Sequence, residues 1–119
     1  MTLVGLEMWE LYEGYSLTAK DIDVEGDEVW LSLFKDGVSV KDAIVDTNGD
    51  GWFMYYNATG ALIFRAYVDC VFRGTDTNVV QLMYVSLYSE IDGSVLIMFE
   101  EDDKKHYLPG AAFPTSLRH

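Results

Sequence analysis

Residues 9–37 read WELYEGYSLTAKDIDVEGDEVWLSLFKDG, and this stretch decides the fold because apolar and polar side chains alternate along it twice. The apolar members of the two runs are Tyr15, Leu17, Ala19 and then Val29, Leu31, Leu33. A period of two is typical of a strand that buries one face. The stretch therefore predicts two half-buried antiparallel strands, separated at Gly26-Asp27 and followed by a turn at Asp36-Gly37.

The strongest further strand signal covers residues 61–73, where apolar side chains fill six even positions: Leu62, Phe64, Ala66, Val68, Cys70 and Phe72. A strand of that length would extend about 40 Å, so we expect a bulge or a bend within it. Shorter strand-like runs at 38–45, 52–56, 79–89 and 94–99 are separated by turn signals. The pattern predicts an all-β fold, an antiparallel β-sandwich of about seven to nine strands, with residues 1–119 as a single domain.

The charge of the chain limits its partners. Eight basic and twenty acidic side chains give a formal net charge of -12. Binding to nucleic acid needs clustered Lys and Arg, and anionic membranes repel such a surface, so neither partner is expected. Divalent cations, in contrast, are attracted to exposed carboxylates. No stretch is long and apolar enough to insert into a membrane, and the first residues lack the pattern of a signal peptide.

Candidates for catalysis are few. His106 and His119 are the two histidines, one in a charged tail and one at the terminus, so a triad or a histidine metal site has no members. Carboxylate pairs such as Asp21 with Asp23, or Glu100 with Glu101, are better explained as solvated faces. Cys70 is the single cysteine, and we expect it to be a buried structural thiol. The chain is therefore predicted not to be an enzyme, and no cofactor is expected apart from calcium.

A loop between two predicted strands resembles half of a calcium loop. Asp46, Asn48 and Asp50 alternate and are followed by Gly51, which fits the first half of the D-x-N-x-D-G pattern. Position twelve is Asn57 instead of a bidentate Glu, so the residues predict at most a weak calcium site. The alternative is a tight turn with no metal.

Two further patterns point to carbohydrate. Asn57-Ala58-Thr59 is an N-glycosylation sequon between two predicted strands. Three Trp and eight Tyr would form a platform that stacks on sugars if several shared an exposed sheet face, although core packing is their commoner use. Trp30 and Phe34 lie opposite Val29, Leu31 and Leu33, so that strand either lies between layers or contributes to an interface.

The order Glu-Gly-Tyr-x-Leu, Asp-Ile-Asp, Gly, Val-Trp-Leu-x-Leu, Lys-Asp-Gly within residues 9–37 resembles the duplicated domain of S-layer proteins from methanogenic archaea. The segment YVDCVFRGTDTNVVQL, residues 67–82, resembles a second signature of the same family. The resemblance implies one β-sandwich unit of a tandem repeat in a longer, extracellular cell-surface protein, with a structural role in a lattice. Copies of the chain and neighbouring repeats would be its partners. The alternative is a cell-surface module that binds polysaccharide through exposed aromatic residues.

Overall fold

The computed structural model describes residues 2–4, 7–75 and 77–98, and their strands form two antiparallel sheets. In chain order the strands are β1 (Thr2–Val4), β2 (Met8–Glu10), β3 (Tyr15–Asp23), β4 (Glu28–Lys35), β5 (Val38–Asp46), β6 (Trp52–Tyr56), β7 (Leu62–Arg73), β8 (Asn78–Tyr88) and β9 (Val95–Met98). One sheet has the order β2, β3, β4, β5. The other has the order β1, β8, β7, β6, with β9 also paired to β8. The predicted all-β sandwich is confirmed, with nine strands in the described residues.

The inner faces of both sheets supply one hydrophobic core. Alternate side chains of each strand point inward, as the period of two predicts. The members with 0% exposure are Trp9, Ala19, Leu31, Leu33, Phe64, Ala66, Val80 and Leu87. Truncation of a fully buried leucine in such a core costs about 2–5 kcal/mol. The alternation in residues 15–33 therefore identifies the inner face of the four-stranded sheet, and its prediction is confirmed.

Strand β7 contains the expected bulge, and the bulge corrects part of the prediction. The pairing of β7 with β8 shifts register between Val68 and Cys70. A shift of one residue moves the following side chains to the opposite face. Val71 is accordingly buried, Phe72 is 41% exposed and Cys70 is half-buried. The expectation that Cys70 and Phe72 continue the buried face was wrong, because strict alternation was carried past the bulge.

A polar network joins the two sheets at one end of the sandwich. The Tyr15 hydroxyl donates to the Glu90 carboxylate, and Lys35 Nζ lies 3.9 Å from the same group. Ser89 Oγ donates to Glu13 Oε2 at 2.6 Å. Burial, together with the hydrogen bond to Glu90, raises the pKa of Tyr15 well above its usual range. The β2–β3 turn and the β8–β9 turn are thereby held together.

Several predicted features lie outside the described residues: the charged tail, His106, His119, Glu100 and Glu101. Within the described ranges the chain forms no helix that could cross a membrane.

Candidate association surface

Most side chains in two cross-strand rows on the outer face of the five-stranded sheet are large. One row is Trp52, Tyr67 and Met83, and the next is Met54, Arg65, Ser86 and Met98. Their neighbours along the strands, such as Phe53 and Ala66, are buried in the core, so these rows point to the other side. We call this surface the aromatic face and define it by six residues: Trp52, Met54, Arg65, Tyr67, Met83 and Tyr84.

Three rings on this face pack against each other. The centroids of Trp52 and Tyr67 are 5.2 Å apart in an edge-to-face arrangement. Tyr84 lies 6.1 Å from Trp52 and 6.1 Å from Tyr67. Aromatic pairs in this distance range contribute about 0.5–1.5 kcal/mol beyond the area they bury. The rings form one cluster on a solvent-facing sheet surface, in which Trp52 and Tyr67 are half-buried and Tyr84 is 36% exposed.

A β-bulge brings Tyr84 onto the aromatic face. Arg65 pairs with Ser86 and Tyr67 pairs with Met83, so two residues of β8 oppose the single residue Ala66 of β7. Tyr84 adopts a φ of 53°, a conformation that bulky side chains rarely take. The bulge places Met83 and Tyr84 side by side on the outer surface, whereas strict alternation along a strand would place them on opposite faces.

Gly51 leaves space for the ring of Tyr67. A Cβ atom built on Gly51 would lie 2.7 Å from Cε1 of Tyr67, and the glycine has a φ of 76°. The Val68 amide also donates to the Gly51 carbonyl at 2.7 Å. The ring therefore packs directly on the backbone at the point where the chain enters β6, a contact that requires glycine.

Arg65 is the one charged side chain in the two rows. Its guanidinium carbon lies 5.6 Å from the Trp52 ring centroid, and Nε donates to the buried hydroxyl of Ser86 at 3.2 Å. Among the described residues no carboxylate forms an ion pair with it; the pairs found there are Lys35–Glu90 and Arg73–Glu25. The aromatic face thus presents a fixed positive charge on a chain of net charge -12.

The outer face of the four-stranded sheet has the opposite charge. Its cross-strand rows are rich in carboxylates, and we call it the acidic face and define it by five of them: Asp21, Asp23, Glu28, Asp42 and Asp46. The row formed by Asp23, Glu28 and Asp46 has no basic member. Like charges directly opposite each other in a sheet destabilise it, so such a row is favoured only where water or a counter-charge screens it.

Trp30 and Asp42 are joined by a hydrogen bond on the acidic face. The Trp30 indole Nε1 donates to Asp42 Oδ1 at 2.7 Å, and Ser39 Oγ donates to Oδ2 at 3.2 Å. These bonds, with the charge of Lys20, hold the pKa of Asp42 below its usual range. Lys20 Nζ also lies 4.5 Å from the centroid of the Trp30 ring. Trp30 is 39% exposed, so it lies on the outer face as the alternation predicted.

The predicted calcium loop connects β5 to β6, and its residues form two short turns. Asp46 Oδ1 accepts from the Asn48 amide at 2.8 Å, and Asp50 Oδ1 accepts from the Trp52 amide at 3.1 Å. Asn48 Nδ2 is 3.5 Å from Asp27 Oδ2. No cluster of three or more Asp, Glu, His or Cys suited to a metal occurs within the described ranges. The weak calcium site at Asp46, Asn48 and Asp50 stays a prediction.

The sequon lies in the turn between β6 and β7. The Asn57 amide donates to the Ala61 carbonyl at 3.0 Å, which closes the hairpin. The turn residues Ala58, Thr59 and Gly60 are all exposed. The Asn57 side chain is thus positioned at an accessible edge of the five-stranded sheet.

Sequence reasoning named the aromatic residues as a class but did not find the platform. It missed the roles of Arg65, Met54 and Met83. The available signal was that apolar or aromatic residues occur at both odd and even positions of β6 and of the first half of β7. This pattern indicates a strand with two covered faces. The bulge at Tyr84 carries no such signal, since it depends on pairing between strands.

Together the two outer faces define a β-sandwich module with an aromatic surface that carries a cation and an opposed acidic surface. Carboxylates considered for catalysis, Asp21 and Asp23, are both exposed on the acidic face.

Comparison with known proteins identifies the family. The family model described as S-layer protein matches residues 1–108, so the chain belongs to the S-layer protein family. The major S-layer protein of Methanosarcina barkeri (strain Fusaro / DSM 804) is 33% identical over 111 residues, which cover 87% of this chain and 16% of that protein. Those of Methanosarcina acetivorans and Methanosarcina mazei are each 31% identical, over 82% of this chain. The chain corresponds to 16% and 15% of their lengths. The resemblance to S-layer proteins of methanogenic archaea is confirmed.

Proposed function

We propose that this chain is a structural unit of an archaeal S-layer, a protein lattice at the cell surface, and that it acts by association instead of catalysis. Family membership supports the structural role, since the similar proteins are named major S-layer proteins. The observation that carries the mechanism is the aromatic face, where three rings and two methionines share one sheet surface with an arginine. Exposed apolar patches of this kind mark association surfaces in soluble proteins.

The partner that fits the aromatic face is the acidic face of a second copy. Arg65 would gain carboxylate partners there, while two aromatic faces placed together would bring two arginines close to each other. Contact between two different faces of identical units is head-to-tail, so it propagates beyond a dimer unless a rotation closes it. A lattice needs contacts of this open type. The charge asymmetry between the faces supports this mode of assembly.

Reversal of the Arg65 charge tests the proposal. We expect Arg65→Glu to weaken self-association in sedimentation velocity by about tenfold or more, because the change places a carboxylate against the acidic face. Arg73→Glu is the matched control. Arg73 is an exposed arginine on the same strand, pairs with Glu25 at 3.0 Å and is not part of the aromatic face. Equal effects of the two reversals would show that net charge, and not the aromatic face, governs association.

Ionic strength gives a second readout. If Arg65 contacts carboxylates of another copy, association of the unmodified chain weakens with added salt, while Arg65→Ala flattens that dependence. A chain that stays monomeric at millimolar concentration, with and without calcium, would contradict the proposal.

Polysaccharide binding remains a second candidate, because Trp52, Tyr67 and Tyr84 form a ring cluster on an exposed sheet surface. This candidate relies on the stacking of sugar rings on the faces of aromatic side chains. Trp9 is fully buried and Trp30 is hydrogen-bonded, so a glycan on this surface would shift the fluorescence of Trp52. A shift that persists in Trp30→Phe and disappears in Trp52→Phe supports sugar binding. If a saturating concentration of glycan causes no shift in tryptophan fluorescence, polysaccharide binding on this surface is ruled out.

A further inference from the structure

A pocket opens on the outer face of the four-stranded sheet, beside the turns that join β2 to β3 and β4 to β5. One cross-strand row crosses it, because Glu10 pairs with Ser16 and Ser16 pairs with Phe34. Directly paired side chains of antiparallel strands lie on the same face. The pocket has a volume of about 440 Å³, and Met8 and Leu11 add apolar walls. The row therefore brings a carboxylate, a hydroxyl and an aromatic ring to one concave site, which we call the Ser16 pocket.

The hydroxyl of Ser16 lines this pocket without a hydrogen-bond partner. Ser16 is 8% exposed, and its hydroxyl makes no hydrogen bond to any other residue that the structure describes. Thr18, buried to the same extent on the same outer face, donates to the Glu7 carbonyl at 2.8 Å. Buried polar groups are nearly always hydrogen-bonded, so the hydroxyl of Ser16 points to a ligand that carries a hydrogen-bonding group.

Elsewhere the molecule holds an ammonium group between an aromatic ring and a carboxylate. Lys20 Nζ lies 4.5 Å from the centroid of the Trp30 ring, whose indole nitrogen donates to an aspartate. Lys35 Nζ lies 4.5 Å from the centroid of the Tyr15 ring and 3.9 Å from the Glu90 carboxylate. A cation is attracted to the face of a ring and to a carboxylate at the same time. The chain therefore contains two examples of this mode of recognition.

In the Ser16 pocket the ring and the carboxylate are present without a cation. Within the part of the chain that the structure describes, no lysine or arginine lies over the Phe34 ring or forms an ion pair with Glu10. A second carboxylate is close, because that of Asp36 occupies the space beside Gly14, which lines the pocket. Sugars also bind to a ring, a hydroxyl and a carboxylate, but the uncompensated negative charge favours a cation.

We propose that the Ser16 pocket binds a primary ammonium group on an aliphatic stem, the chemistry of a lysine side chain or of a small free amine. An ammonium has three donors and no acceptor. One donor would bond to the Ser16 hydroxyl and another to the Glu10 carboxylate, while the charge faces the Phe34 ring. The stem would pack on Met8 and Leu11. The proposal does not rest on lattice formation, since it concerns a site that can be filled on a single copy.

Titration of the isotopically labelled chain with pentan-1-amine, followed by amide NMR, tests the proposal. Pentan-1-ol is the neutral control, because it has the same stem and a hydroxyl in place of the ammonium. We expect saturable shifts at Ser16, Phe34 and Gly37 with the amine, and an affinity for the alcohol that is lower by about tenfold or more. Equal affinities would overturn the proposal, because the pocket would then recognise the apolar stem alone. Absence of shifts with the amine would overturn it as well.

Three variants in the pocket and one outside it assign the contacts. We expect Glu10→Gln to weaken amine binding by about tenfold and Ser16→Ala by about fivefold. Phe34→Leu keeps an apolar wall but removes the ring, and should weaken binding by about twofold to fivefold. Glu25→Gln is the matched control, because it removes the same charge from an exposed glutamate in the turn between β3 and β4, at the opposite end of the sheet. Equal weakening by Glu10→Gln and Glu25→Gln would overturn the site, since net charge alone would then attract the amine.

Further ligands distinguish the sources of the ammonium and test the sugar alternative. N-acetyl-lysine N-methylamide presents the group as the side chain of a peptide, whereas pentan-1-amine presents it as a free amine. Tighter binding of the lysine derivative supports a lysine of another chain as the natural ligand, and tighter binding of pentan-1-amine supports a small free amine. Shifts at Ser16 with maltose, together with none for either amine, would overturn the proposal in favour of a sugar site.

Discussion

The two outer faces of the sandwich have the same strand geometry and opposite surfaces. On the four-stranded sheet, polar side chains alternate with the core, and carboxylates such as Asp42 and Asp46 dominate. On the five-stranded sheet, Trp52, Tyr67 and Tyr84 occupy the corresponding outward positions. The first face also exposes Trp30 and Ile44, but these lie among carboxylates. The second face gathers three aromatic rings beside a cation, and from this difference in charge and ring clustering we infer which faces associate.

The contrast also appears in the backbone. The aromatic face depends on two backbone positions at positive φ: Tyr84, for which the conformation is unfavourable, and Gly51, which adopts it readily. Residues held in such conformations persist when the surrounding structure fixes them, and they concentrate at functional sites. Tyr84 is therefore both the most strained and the most exposed of the three rings.

The largest effect on stability is expected from a substitution that fills the space into which the Tyr67 ring packs. Gly51→Ala adds a Cβ 2.7 Å from the ring in a glycine conformation, so we expect a loss of about 2–4 kcal/mol from strain and overpacking together. Gly60→Ala is the control, because Gly60 has a φ of 87° and open space around it. That variant should lose only about 1–2 kcal/mol. Urea denaturation measures both, and equal losses would mean that Tyr67 does not depend on Gly51.

Removal of the Tyr84 ring separates association from stability. Tyr84→Gly relaxes the positive φ while it deletes two ring contacts, and these terms nearly cancel, so the free energy of unfolding should change by less than about 1 kcal/mol. Association should weaken by about tenfold, which corresponds to about 1.4 kcal/mol. Sedimentation and denaturation of the same sample distinguish the two effects. A variant that associates as well as the unmodified chain would remove Tyr84 from the association surface.

Calcium is expected to act beside the acidic face. If Asp46, Asn48 and Asp50 bind it weakly, a calcium concentration ten times the dissociation constant raises the free energy of unfolding by about 1.4 kcal/mol. Asp46→Asn combined with Asp50→Asn should abolish this increase. Asp92→Asn is the control, because Asp92 Oδ1 accepts from the Ser94 amide in a similar turn without the alternating pattern. Thermal denaturation with calcium or a chelator gives the result, and a calcium effect that survives the double variant would place the site elsewhere.

The smallest effect concerns the pH response of the acidic face. The indole bond of Trp30 lowers the pKa of Asp42 below the ordinary value of 3.8, so Trp30→Phe should raise it towards that value. A lowered pKa in the folded state adds stability above the ordinary pKa, and this contribution is lost as pH falls through the lowered pKa. The free energies of unfolding of the unmodified chain and of Trp30→Phe should therefore differ at neutral pH and converge in acid. Carbon NMR titration of Asp42 checks the shift, and an unchanged midpoint would contradict it.

Sequence reasoning predicted the layers but not the association surface. The alternation at Leu17, Leu31 and Leu33 identified the buried face, because the period of a strand is local information. The position of Tyr84 beside Met83 and the exposure of Phe72 follow from bulges in the β7–β8 pairing, which no local pattern specifies. The same limit applies to Arg65. Its character as a cation on an aromatic surface emerges only when Trp52 and Ser86 are brought to it from other strands.

We infer that the aromatic face of one copy contacts the acidic face of another. Complementary charge reversal tests it most directly: one chain carries Arg65→Glu, and a second carries Asp21→Lys with Glu28→Lys. Each variant alone should associate less than the unmodified chain, and an equimolar mixture should recover association in sedimentation velocity, because each supplies the charge that the other lacks. A mixture that associates no better than its separate components would contradict contact between the two faces.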